Sequence, residues 1–291
     1  MFVDFFFRSL SRLPLSCLHC LGGWAGWLVW LFSSRYRRHL RANLTQALGR
    51  CDPAILREAI AQAGRASFEL PWLWLRPTEE VLARIVAVEG WEVVEAARRE
   101  NMGVLCVTPH LGCFEIAAQH YAETAPITVL YRPPRHAALA PLMQAARTRG
   151  QMSAAPANVS GVRQLVRTLR AHGAVGMLPD QVPGEGEGVW ADFFGRPAWT
   201  MTLAARLAEI RNVQVIYVWA KRLPRGQGYV VHYLEPTLTL EGSLDERCAL
   251  INREIERLIR LCPGQYLWAY NRYKQPRGVH AKTAEAGATQ A

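Results

Sequence analysis

The chain has 291 residues, half of them hydrophobic, and a formal charge of +10. That length supports one large core or two small ones, and the charge points to an anionic partner: membrane phospholipid, phosphorylated lipid, an acidic protein or nucleic acid. Nucleic acid is the least supported, since zinc-finger spacing, a basic zipper and an RNP-type strand are all missing. Seven scattered cysteines, an odd number, argue against a disulfide framework and for reducing surroundings. Only three of the 34 basic residues are lysines. The arginines favour phosphate, which a guanidinium grips with two hydrogen bonds.

In chain order, Leu13 to Phe32 carries no charge. Twenty helical residues cover roughly 30 Å, the depth of a hydrocarbon core. Pro14, His19 and the glycines at 22, 23 and 26 weaken the run, while Trp24, Trp27 and Trp30 suit an interface. Phe32-Ser-Ser-Arg-Tyr36 offers no small-x-small cleavage site. Residues 1–34 therefore read as an uncleaved helical membrane anchor, spanning the bilayer or dipping into one leaflet. Arg35, Arg37, Arg38 and Arg41 follow. The heavier basic flank lies downstream, which leaves the bulk of the chain on the cytoplasmic face with arginines for anionic headgroups. A solvated basic helix face is the plainer alternative. Cys17-Leu-His-Cys20 is half a zinc spacing without a second half, so no metal is expected.

Helices are expected over 36–48 and 53–75, the second opened by Asp52-Pro53. It ends in Leu70-Pro-Trp-Leu-Trp-Leu75, which suits either core or a membrane-facing surface. Two short helices, 78–87 and 90–99, come next. From residue 103 strands and helices alternate. Strands are predicted at 103–108, 126–131, 174–178, 213–219 and 229–235, with helices near 113–123, 137–149, 160–172, 199–208 and 245–261. This is an α/β pattern: a mixed, mostly parallel sheet flanked by helices, forming one domain over 35–275. Residues 276–291 read as a disordered tail.

In such sheets chemistry collects at the carboxyl ends of the strands. There stands Thr108-Pro-His110-Leu-Gly-Cys-Phe-Glu115. Positions i and i+5 of a regular helix lie roughly 140° apart. His110 and Glu115 can meet only if His110 sits in the turn and Glu115 in the first turns of the helix. A carboxylate on one imidazole nitrogen leaves the other to take a proton from a hydroxyl. A histidine that merely packs the turn is the alternative. Arg132 and Arg135 follow the next strand, and Arg147 and Arg149 close the next helix, where dipole compensation is an equally ordinary role. Leu178-Pro-Asp180-Gln181 opens a Gly-rich loop that lacks the Gly-Lys-Ser/Thr of a phosphate-binding loop. Asp180, at a strand end, is placed to orient a base or an arginine, or simply to make a turn.

The ordered set comprises Thr108 to Glu115, Tyr131-Arg-Pro133, Arg147, Leu178-Pro-Asp-Gln181, Phe193-Phe-Gly195 with Pro197 and Thr200, and Gln265-Tyr-Leu-Trp268 with Arg272-Tyr-Lys274. It resembles the bacterial lipid A late (secondary) acyltransferases, the lauroyl/myristoyl transferase family. The resemblance covers nearly the whole chain, including the anchor and Arg41-Ala-Asn-Leu44. His-x4-Glu alone is shared with glycerolipid acyltransferases; the Asp-Gln and Tyr-Leu-Trp segments are more specific. The resemblance implies a glycerolipid acyltransferase-like fold, His110 as general base with Glu115 as its partner, and Arg147 and Asp180 as further active-site residues. It implies substrate contacts for Arg132 and Gln181. It further implies an acyl-acyl carrier protein donor, the hydroxyl of a lipid A precursor as acceptor, no metal or redox cofactor, and a place on the cytoplasmic face of the inner membrane. Cys113 and Phe114 stand where the family often has Asn and Trp. Cys113, in a helix's first turn, raises an acyl-cysteine route that a His–Glu pair makes unnecessary. The rivals are the same dyad acting on a glycerophospholipid or aminolipid, a thioester hydrolase, and a non-catalytic lipid-binding membrane protein.

Overall fold

The computed structural model describes residues 2–132 and 139–280. Helices α1 (Phe2–Ser11) and α2 (Leu15–Phe32) are separated at Pro14, whose extended backbone precedes α2. Ser33 caps α3 (Ser34–Leu48), and Asp52 caps α4 (Pro53–Leu75) by accepting from the backbone N–H groups of Ala54 and Ile55. Helix α2 lies along α4 on a seam of glycines. A Cβ placed on Gly64 would come within 1.9 Å of the Gly22 carbonyl oxygen, so only glycine permits this approach. His19 is buried in the same seam, 3.0 Å from Glu69 of α4. The opposite side of α2 leaves Leu21, Trp24, Leu28, Leu31 and Phe32 exposed. Among the described residues α2 is the one helix long and apolar enough to cross a membrane.

The sheet has seven strands: β1 (Ile85–Glu89), β2 (Gly103–Val107), β3 (Ile127–Tyr131), β4 (Met152–Pro156), β5 (Ala174–Met177), β8 (Val213–Arg222) and β9 (Tyr229–Leu234). Their spatial order is β1-β9-β8-β2-β5-β3-β4. Strands β8, β2, β5, β3 and β4 run parallel, β9 returns antiparallel to β8, and β1 pairs parallel with β9. This is the mixed, mostly parallel sheet that the pattern predicts. Side chains alternate between two cores. Leu105 and Val107 face one, with α9 (Val159–Arg170), α10 (Leu203–Ala208) and α11 (Leu244–Leu261). Val104 and Cys106 face the other, with α6 (Trp91–Arg99), α7 (Phe114–Thr124), α8 (Ala140–Ala146) and the end of α4.

All five expected strands form. Five further stretches differ from expectation. Residues 78–87 are not one helix: α5 (Thr78–Leu82) gives way to β1, an edge strand mostly open to solvent and so without a buried-strand signature. Strand β4 carries only Ala, Ser, Met and Pro. Residues 188–201 form a hairpin, β6 (Gly188–Phe193) and β7 (Arg196–Met201), turned at Phe194 and Gly195, both at positive φ. The helix expected from 199 accordingly starts at Leu203. The helix expected over 137–149 is the shorter α8. Arg135 and the tail from residue 281 lie outside the described residues.

Candidate active site

The last rung of β2 is the Thr108 N–H to the Met177 carbonyl of β5, 3.1 Å. Because β2 and β5 are parallel neighbours, His110 and Asp180, each three residues beyond a strand, emerge at the same end of the sheet. One oxygen of the buried Asp180 lies 2.7 Å from His110 Nδ1, and the other accepts the His110 backbone N–H at 2.9 Å. Burial alone would raise the Asp180 carboxyl. The His110 charge, its two hydrogen bonds and Arg272 outweigh burial and hold it below the usual carboxylate range. An ionised carboxylate only accepts, so Nδ1 carries the ring hydrogen. In the neutral ring the lone pair is then on Nε2, where the Gln181 side-chain amide lies 3.1 Å away.

The turn after His110 is held from three sides. Gly112 is at φ +60, and a Cβ there would meet the Ala220 carbonyl oxygen at 1.9 Å. Its N–H donates to the Gln265 carbonyl, the Cys113 N–H donates to Ala220, and the Leu267 N–H donates to the His110 carbonyl. Beneath it the fully buried Arg222 guanidinium donates to the Gly112 carbonyl, Gln62 and both oxygens of Glu69. Glu69 also accepts from Tyr229. Burial works against the Glu69 charge, but Arg222 and His19 prevail and bring its pKa down to about 2. Gln265 closes the network with hydrogen bonds to the Arg222 backbone N–H and carbonyl.

Glu115 does not take the predicted place on the imidazole. In the first turn of α7 it accepts instead from Arg147, at the carboxyl end of α8, at 2.8 Å. Asp180 reaches Nδ1 from the neighbouring strand, and the fixed charge of Arg147 claims Glu115. Four of the six expected site residues thus form two pairs, His110–Asp180 and Glu115–Arg147, with Gln181 on the histidine. Arg132 stands apart, exposed beyond β3. Cys113 is buried, which pushes its thiol well above its ordinary value; it is no thiolate nucleophile. Glu69 and Arg222 escaped the sequence reading, and Gln265 entered it only within the Gln265-Tyr-Leu-Trp268 segment, without a role. The one signal for the first was a lone acid beside the apolar run ending α4.

Next to the pairs an apolar slot descends between α7 and the sheet. Thr108, Phe114, Glu115 and Arg147 line its upper part, and Tyr121, Ile127 and Met152 line it deeper. Phe114 stands edge-on to the His110 ring at 5.0 Å and so joins base to slot. The slot is narrow, with about 60 Å³ of free volume, so a long chain entering it must part the walls.

A base with a lone pair needs a proton to remove, and an apolar slot at its side needs a chain to hold. Acyltransferases combine the two, and this chain is one of that class. It belongs to the bacterial lipid A biosynthesis acyltransferase family, whose model matches residues 1–275. Among its curated relatives, the lipid A biosynthesis lauroyltransferase of Escherichia coli K12 is 24% identical over 93% of this chain and 90% of its own length. The palmitoleoyltransferase of the same strain is 26% identical over 90% and 87%, and the myristoyltransferase 24% over 74% and 67%.

Proposed function

We propose that this acyltransferase moves a fatty acyl chain from acyl-acyl carrier protein to a hydroxyl of a lipid A precursor, at the cytoplasmic face of the inner membrane. The observation that carries the reading is the His110 imidazole, with Nδ1 committed to Asp180 and its ring against Phe114, which lines an apolar slot. The acceptor hydroxyl displaces Gln181 from Nε2 and gives up its proton there. The alkoxide oxygen attacks the thioester carbonyl and the carbonyl oxygen takes the negative charge. Arg147, held by Glu115, lies at that mouth. So does the amino end of α7, which no side chain caps; both supply positive potential for an oxyanion. The tetrahedral intermediate then collapses, the ester forms, and the carrier's thiol leaves with the proton that His110 holds. The acyl chain lies in the slot. The exposed apolar side of α2, with Phe5 and Phe6 of α1, rests in the membrane and brings the lipid acceptor to the base. The chain's own residues suffice for these steps without a metal or redox cofactor.

The test is purified full-length protein given acyl-acyl carrier protein and a lipid A precursor, with product read by mass spectrometry. Wild type should add one acyl chain, and His110→Ala should lose at least about 10²-fold in rate while remaining folded. Turnover near wild type in His110→Ala refutes the mechanism. Transfer only to a glycerophospholipid or aminolipid refutes the acceptor.

A further inference from the structure

A second concavity, about 520 Å³, lies on the same end of the sheet as His110 and adjoins the slot through Leu130, which lines both. Its floor is apolar, including Val162, Met201 and Leu203, and three arginines line it: Arg132 after β3, Arg163 on α9 and Arg206 on α10. Arg132, Arg163 and Arg206 are exposed and have no ion pair among the described residues. Glu187 also lines the groove, with a carboxylate oxygen on the Gly184 N–H, which leaves two positive charges in excess. The positive surface does not stop there. Arg163, Arg167 and Arg170, at i, i+4 and i+7, share one exposed face of α9. Arg206 also lines a second hollow with Arg170, His172 and Arg211. The acid in that hollow, Glu209, is engaged by Arg247.

Helix α2 packs against the turn Pro224–Gly226 that joins β8 to β9, on one side of β2 and β5. The arginine groove borders β3 and α9 on the other side and reaches α10, which packs on β2 and β8. With α2 seated in the membrane as in the proposed function, a lipid acceptor carried on its apolar face would approach His110 from the β8 side. The side of β3 and β4 is left for the water-soluble substrate.

We propose that this groove holds the phosphopantetheine arm of the acyl donor, and that the arginine strip beyond it receives an acidic carrier protein. The arm is a half-apolar chain ending in a phosphodiester, which matches an apolar floor with guanidinium groups at its margin. The strip, running from Arg163 to Arg211, has the charge to meet an acidic surface. This rests on the donor assigned in the proposed function and adds where that donor binds.

The experiment uses the full-length chain with four variants: Arg163→Ala, Arg206→Ala, and the reversals R163E and R206E. Each is assayed with acyl-acyl carrier protein, with the coenzyme A thioester, and with an acyl-pantetheine lacking phosphate. Binding of fluorescent holo-carrier protein is measured in parallel by anisotropy. The expected result is a KM for the carrier-borne donor raised roughly tenfold or more by each alanine, and further by each reversal, as loss of a charge-assisted contact dictates. The kcat, the acceptor KM and the KM for acyl-pantetheine should stay within about twofold, and carrier binding should weaken in parallel. Unchanged donor KM and carrier affinity overturn the proposal. So does a rise confined to the acceptor KM, which would give the groove to a lipid phosphate, or one confined to the coenzyme A thioester. A wild-type enzyme inactive with every thioester would sink the acyl-transfer reading, while the anisotropy series would still decide whether the carrier docks here.

Discussion

Replacing Asp180 by Asn separates the two carboxylates of the site. The change keeps the side chain's shape and removes its charge. Asp180 accepts at both oxygens, from His110 Nδ1 at 2.7 Å and from the His110 backbone N–H at 2.9 Å. Asparagine has one acceptor for these two donors. If its oxygen keeps the backbone N–H, its NH2 faces Nδ1; the ring proton moves to Nε2 and the base is lost. If the amide flips, its NH2 opposes the backbone N–H across a hydrogen-bond distance. The first arrangement removes the productive tautomer, and the second keeps it only by opposing two N–H groups; for the first the expected loss in kcat is about 10⁴-fold, equivalent to roughly 5 kcal/mol of transition-state stabilisation. Donor and acceptor KM should hardly move, since neither substrate touches a side chain this deeply buried. The assay is conversion of lipid A precursor followed by mass spectrometry, with circular dichroism to confirm folding. Glu115→Gln is the companion: it weakens the hold on Arg147 without altering the imidazole tautomer. Asp180→Asn within tenfold of wild type, beside an inactive Glu115→Gln, would show that Glu115 orients the base, and the pairing argued here would fall.

Three other perturbations test the surroundings. Burial raises the Glu69 carboxyl, but Arg222 and His19 bring it from 4.5 to about 2. Its contribution, on the order of 3 kcal/mol, is therefore complete above about pH 4.5 and is lost as pH falls towards 2. Glu69→Gln should flatten the acid limb of Tm against pH, and an unchanged limb contradicts the network. A Cβ on Gly176 would lie 3.3 Å from Val129 Cγ1 and 3.4 Å from Ile127 Cδ1, at the slot's wall, so Gly176→Val should shift the products to shorter acyl chains. Each methylene excluded costs about 0.8 kcal/mol, or roughly fourfold in preference, and an unaltered chain-length profile would remove the slot as acyl site. Charging the exposed face of α2 with Trp24→Asp and Leu28→Asp should release the protein from anionic liposomes in sedimentation while leaving Tm close to wild type. Undiminished sedimentation would mean the face is not what meets the bilayer.

The parts of the molecule legible in the sequence are those whose local signals agree with their long-range surroundings. β2 and β5 read as strands because they are buried on both faces, and α11 reads as a helix because Ser243 and Glu246 form a full capping box. Residues 78–89 misled because a helix start with Glu79 and Glu80 runs into an exposed edge strand without a turn signal. The site divided along the same line. His110, Glu115, Arg147, Asp180 and Gln181 stand at element ends, where chain position alone makes them suspect. Their pairing was not legible: Asp180 meets His110 across 70 residues and Arg147 meets Glu115 across 32. The local spacing of His110 and Glu115 pointed to a partner that the fold assigns elsewhere.

The buried network around Arg222 changes what the N-terminal helix is for. Its apolar length suggests an anchor appended to a soluble enzyme. Yet His19 of α2 is bonded to Glu69, Glu69 to Arg222, and Arg222 to the carbonyl of Gly112 in the turn after His110. A buried carboxylate this deep is tolerable only while each of its partners stays in place. Removing α2 would take away His19 and open one side of the Glu69–Arg222 pair to water. The helix that presents an apolar face to the outside is thus also a wall of the pocket that fixes Gly112. Gly22 and Gly26, which weaken it as an independent span, are what let it lie close enough to α4 to play that part.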